Sequence, residues 1–139
     1  MLMRRLGILL IVLLAGSLTA MGQNGDSGSE KEKNAKITFT KTTHDFGKIP
    51  YKGDGSYKFE FESAGKKPLI LTDVRSSCSC TVPDWPQKPF KPGDKGEIEV
   101  KYDTRRRGTF TKWIYVQSNA KNSTVRLKIT GEVVKNSDN

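Results

Sequence analysis

The sequence predicts an all-β chain folded as a sandwich of two antiparallel sheets, and three observations predict it. Apolar and polar residues alternate in short runs, which is the pattern of strands with one buried face. Clusters of Gly, Asn, Asp and Pro separate the runs. No segment carries a helical period over ten residues.

Taken in order, Ile37 and Phe39 alternate in KITFT, then Tyr57, Phe59 and Phe61 in SYKFEFES. PLILTDV follows, then EIEVKYD with Ile98, Val100 and Tyr102 in phase. Phe110, Ile114 and Val116 set the phase of the next run, and Val125, Leu127 and Ile129 that of TVRLKIT. Turns are expected at 52–55, 64–68, 92–96, 107–108 and 118–122. Residues 83–92 hold four of the six prolines, so that stretch reads as a long connection along an edge, not a central strand. Six or seven such strands must each bury one face, and two packed sheets do so economically. The expected architecture is an immunoglobulin-like antiparallel β-sandwich of about seven strands.

The amino terminus reads as a secretory signal peptide over residues 1–22: Arg4 and Arg5 lead an apolar run from Leu6 to Ala15, and small residues follow up to Gly22. A spanning helix needs about 20 apolar residues, and this run ends at Gly16-Ser17, so no stable membrane span is expected after cleavage. Residues 23–35 form a polar linker whose one apolar residue, Ala35, cannot offset the entropy of ordering. The folded domain is placed at 36–135 with a tail at 136–139, and a periplasmic or secreted location is expected. The formal net charge is +9, and losing Arg4 and Arg5 with the leader removes two of those charges. That balance favours acidic partners, while export argues against nucleic acid.

Several motifs stand in a recognisable order: His44-Asp45-Phe46-Gly47-Lys48-Ile49, Gly65-Lys66-Lys67-Pro68-Leu69, Ser77-Cys78-Ser79-Cys80-Thr81, Pro92-Gly93, Gly108-Thr109-Phe110, Ser118-Asn119 and Thr130-Gly131-Glu132. In these the chain, from about Ile37 to Val134, resembles a bacterial family of exported domains of unknown function common in Bacteroidetes. That family is related to the hydin-like and major-sperm-protein-like branch of immunoglobulin-like sandwiches. The resemblance implies the sandwich and an extracytoplasmic setting, with no established activity. Its most specific element is the Ser-Cys-x-Cys-Thr signature, in which Ser79 stands where the family usually has glycine.

Cys78 and Cys80 are the chain's only cysteines. Were the strand from Leu69 regular up to Thr81, Ile70, Val74, Cys78 and Cys80 would share a face. The cysteine Cα atoms would then stand about 6.5–7 Å apart, at the limit of disulfide reach, so a bridge requires a kink. Closing so short a loop stabilises by only roughly 1.6 kcal/mol. Three roles follow: a structural pair, a reducible redox pair, or half of a soft-metal site. The structural role is the leading expectation and no cofactor is expected.

Other candidates are weaker. Arg105, Arg106 and Arg107 sit at a turn where guanidinium groups could grip phosphate or carboxylate. Trp85 lies among prolines and suits a docking surface for sugar or peptide. Trp113 has the opposite parity to Phe110, Ile114 and Val116, placing it on the outer side of the sheet or in a second buried layer; packing is the expectation. His44 adjoins Asp45, but neighbours on a strand face opposite ways, so no relay is expected between them.

With one histidine, no separable Ser-His-Asp set, no phosphate loop and no glycosidase-type acidic pair, an enzyme is not expected. The expected function is a binding or interaction module of the cell envelope, its partner a protein or glycan. Thiol redox or metal chemistry at Cys78 and Cys80 is the alternative.

Overall fold

The structure, a computed structural model, describes residues 34–136. Its strands are β1 (Ile37–Phe39), β2 (Thr43–Pro50), β3 (Ser56–Ser63), β4 (Leu71–Ser76), β5 (Thr81–Asp84), β6 (Lys95–Tyr102), β7 (Gly108–Ser118) and β8 (Thr124–Val134). They form two four-stranded sheets, ordered β1-β3-β6-β5 and β2-β8-β7-β4. The described residues include no helix, and the all-β sandwich stands.

Two details differ from the sequence expectation: there are eight strands, and β2 runs parallel to β8 while every other pair is antiparallel. The added strands are β2 and β5. In β2 the register shifts between Asp45 and Lys48, where Gly47 takes φ +63° and its amide donates to Asp45 Oδ1 at 2.8 Å. That bulge breaks the alternation, leaving Ile49 as the one fully buried residue of the strand. β5 holds Pro83 and pairs with β6 alone, so it is an edge strand, where a missing N–H is tolerated.

The core lies between the sheets. Phe59 sits opposite Ile98 and Tyr57 opposite Val100 on one sheet, while Ile114 faces Leu127 on the other. Phe59, Ile98, Val100, Ile114, Leu127 and Ile129 are all sealed from solvent, and each such side chain contributes about 1.5–3 kcal/mol of burial free energy. Aromatic contacts cross the gap: Tyr102 stacks on Phe110 with centroids 3.8 Å apart.

Two boundaries shift. Ala35 is buried and its carbonyl accepts from Lys121 N at 2.9 Å, so the packed region extends at least one residue before position 36. In β4 the register slips between Leu71 and Asp73, so Leu71 and Val74 both face the core and Ile70 is 43% exposed. The regular strand expected from Leu69 to Thr81 therefore does not exist; β4 stops at Ser76 and the chain crosses to the other sheet. The expected signal peptide, nearly all of the linker and the last three residues lie outside the described residues.

Candidate functional site

Residues Ser77 to Cys80 form the crossover from β4 to β5, and a local hydrogen-bond set explains its turn. Ser76 Oγ lies within bonding distance of the Cys78 carbonyl and 2.6 Å from that of Thr81, and Thr81 N donates to the Cys78 carbonyl at 3.2 Å. Ser77 is tied to β7, its amide donating to the Trp113 carbonyl at 2.8 Å and its hydroxyl accepting from Trp113 N at 3.1 Å. The turn draws the cysteine Cα atoms to 5.3 Å, and Cys78 and Cys80 are joined as a disulfide. The kink that a bridge requires is thus this crossover.

The two sulfurs differ in setting. Cys80 is buried at 4% exposure, while Cys78 is half-buried and its Sγ accepts a hydrogen bond from Cys80 N at 3.0 Å. Joined to each other, they present no thiolate to a metal.

The arginine turn lies at the same end of the sandwich. β6 leads into it at Tyr102, which is paired with Thr81, and Asp103 N donates to the Cys80 carbonyl at 2.8 Å. The three guanidinium groups are not equivalent. Arg105 Nε and Nη2 donate to the Asp103 carboxylate at 2.8 and 3.2 Å, and Arg106 Nε lies 3.9 Å from it. Hydrogen bonds from the Arg105 side chain and backbone hold the Asp103 carboxyl below the usual carboxylate range, and the Arg105 guanidinium is raised in turn. Arg107 instead stands over the Tyr51 ring at 5.7 Å. Tyr51, Arg107, Lys135 and Asn136 line a recess of about 240 Å³ there.

Trp85 is not part of this end. It follows β5, half-buried against the core, and lines a groove of about 300 Å³ with Lys58, Asp84, Pro86, Glu97 and Glu99. Of the residues singled out from sequence, Cys78, Cys80 and the three arginines are brought together and Trp85 is apart. His44 and Asp45 make no relay: His44 turns inward and stacks on Tyr57, while Asp45 caps the Gly47 bulge.

Sequence reading missed one cluster, and of its two placements for Trp113 the structure shows the outer side of the sheet, not the packed layer that was the leading expectation. Trp113 and Tyr115 point outward from β7, each half-buried, with Lys128 paired to Trp113 and Arg126 to Tyr115 on β8. The signal was present as parity, since both aromatics are out of phase with Ile114 and Val116.

A family described as a protein of unknown function, DUF1573, matches residues 37–133. The chain belongs to that family. A search of curated proteins finds none that matches this DUF1573 domain. Among solved structures it is similar to a protein of unknown function from Porphyromonas gingivalis W83, with TM-score 0.66 and 16% identity. That alignment covers 74% of this chain and 49% of that one, so the chain spans about half the length of that relative. A PapD-like domain of human CEP192 matches with TM-score 0.62, 10% identity and coverage of 73% and 87%. The chaperone–tip adhesion subunit complex of Acinetobacter baumannii Csu pili matches with TM-score 0.50, 13% identity and coverage of 71% and 57%. At these identities the likeness is one of fold.

Proposed function

We propose that this DUF1573 domain is an exported, non-enzymatic binding module of the cell envelope that docks an acidic partner at the end of the sandwich carrying the Cys78–Cys80 crossover and the arginine turn. One observation carries the reading. The Asp103 amide bonds the Cys80 carbonyl, so the crossover turn, held also by Ser76 and Ser77, and the base of the arginine turn form one braced surface. A rigid, cationic loop cluster suits binding because little ordering entropy remains to be lost on docking. Export rests on the leader pattern of residues 1–22. The fold shared with a pilus chaperone, whose solved complex holds an adhesion subunit, supports a protein-binding use of such sandwiches.

The test is capture of envelope components by the full chain. Arg106→Glu with Arg107→Glu abolishes capture, and added salt weakens it, whereas Cys78→Ser with Cys80→Ser leaves it in place. Capture indifferent to charge reversal overturns the reading, and fractionation that leaves the chain in the cytoplasm overturns export.

A second reading is favoured by the Cys80 amide aimed at Cys78 Sγ. On reduction by an external dithiol, which becomes a disulfide as this one opens to two thiols, that N–H would stabilise a thiolate at the more accessible Cys78. Equilibration in glutathione buffers tests it: a midpoint within the buffer's range supports redox exchange, and a bond that stays closed throughout rejects it.

A further inference from the structure

We infer that the outer face of the β2-β8-β7-β4 sheet is a second binding site, and that its ligand is an acidic polysaccharide whose sugar rings lie on Trp113 and Tyr115 while its carboxylate groups meet Arg75, Arg126 and Lys128. The inference goes beyond the loop-end site and rests on the proposed function only for the extracytoplasmic setting.

The register builds this platform. Tyr115 stands between Arg75 on β4 and Arg126 on β8, paired with both, and Trp113 stands opposite Lys128. The two aromatics are two residues apart on one strand, about 6.7 Å along it, and the two arginine backbones lie about 10 Å apart across two strand spacings. The Arg126 guanidinium sits 5.1 Å and the Lys128 ammonium 5.5 Å from the Trp113 ring centroid. Each cation is held at the platform by attraction to the ring. Among the described residues, neither Arg126 nor Lys128 has a carboxylate partner, whereas Arg75 has Asp73 at 3.9 Å.

Charge complementarity selects the ligand. The opposite outer face, on β3, β5 and β6, carries Glu60, Glu62, Asp84, Glu97 and Glu99 against Lys58, Lys95 and Lys101, and there Lys58 and Lys101 are paired to Glu97 and Glu99. The face with Trp113 also bears Asp45, Asp73 and Glu132, so attraction for a polyanion is local to the Arg126 and Lys128 patch around Trp113, while the opposite face has an excess of carboxylates that repels it. Two half-buried aromatics among cations on the sheet surface favour an anion whose rings present an apolar C–H face, as the pyranose rings of a uronic-acid chain do, over a flexible chain of carboxylates.

The experiment titrates the full chain, carrying Trp85→Phe so that Trp113 is the sole reporter, with polygalacturonate at low and high salt. Expected is a fluorescence change on binding that weakens steeply with salt. Arg126→Gln with Lys128→Gln, both surface changes that leave the core intact, weakens binding about tenfold or more and flattens the salt dependence. Trp113→Ala, followed by calorimetry, weakens it similarly, and the Arg105→Gln, Arg106→Gln, Arg107→Gln triple variant binds as before. Failure of that triple variant alone would assign binding to the loop end and overturn this site without touching the first proposal. Equal binding of poly-glutamate, tighter binding of oligothymidylate, or no binding of polygalacturonate at low salt would each overturn it as well.

Discussion

His44 and Tyr57 stack ring on ring across the gap between the two sheets, with centroids 3.6 Å apart and planes 10° from parallel. Phe46 meets His44 edge-on at 4.5 Å, and Phe59 meets Tyr57 at 4.8 Å, so the imidazole is part of an aromatic column. Burial lowers the His44 pKa from its ordinary 6.5, Lys41 lowers it further, and Asp45 opposes them.

A pH dependence follows from that direction. A histidine with a depressed folded pKa binds fewer protons folded than unfolded between the two values, so its stabilisation is complete above about 6.5 and is lost as pH falls through the folded pKa. His44 is the chain's one histidine, which makes the window clean. Urea midpoints are expected to fall between pH 7.5 and 5.5 in the native chain and to stay level in His44→Phe. A native profile as level as the variant's refutes the coupling.

Gly65 is fixed by a close backbone approach. A Cβ built there would lie 2.0 Å from the Asn34 carbonyl oxygen and 2.6 Å from Lys36 N. The same turn receives Ala64 N on the Lys36 carbonyl at 2.9 Å. Gly65→Ala is expected to lower stability by about 1–3 kcal/mol by forcing the segment before β1 off the turn. Denaturation at unchanged midpoint would show that this segment does not dock in solution.

Removing the disulfide should cost little. The bridge closes a loop of about three residues, whose entropy limits its contribution to roughly 1.6 kcal/mol, and Ser76 and Ser77 hold the crossover independently of it. Cys78→Ala with Cys80→Ala is expected to lose about 1–2 kcal/mol and to unfold in one cooperative step. A loss above about 4 kcal/mol would mean that the bridge organises the neighbouring arginine turn.

Six strands were legible as apolar runs between turn signals, β4 with its phase misread because of the slip after Leu71, and the two that were not explain themselves. β2 spends its alternation on the Gly47 bulge and shows a single buried side chain, and β5 is four residues long with a proline in the middle. The Cys78–Cys80 pair was legible as residues, but its closure depends on a turn bonded by Ser76, for which residue spacing holds no signal. The Arg105–Arg107 turn was visible, and Asp103 two positions earlier was the available hint that one guanidinium is held locally. Trp113 had its parity in plain view; only the register with β8 shows that its outward side meets two cations.

The slip in β4 gives the sharpest test of the fold. Period-two reasoning puts Ile70 inside and Leu71 outside, whereas the register shift buries Leu71 to 5% and leaves Ile70 43% exposed. Ile70 is held there through its backbone, its amide donating to Asn119 Oδ1 at 2.8 Å and its carbonyl accepting from Asn119 N at 3.1 Å. These bonds do not involve its side chain. Truncating Leu71 removes core contacts and leaves a cavity, so Leu71→Ala is expected to cost about 2–5 kcal/mol. Ile70→Ala, at the surface, should stay within about 0.5 kcal/mol of the parent. Urea unfolding of the two variants side by side reads the difference, and a reversed order of losses would place the bulge elsewhere and return β4 to the regular phase.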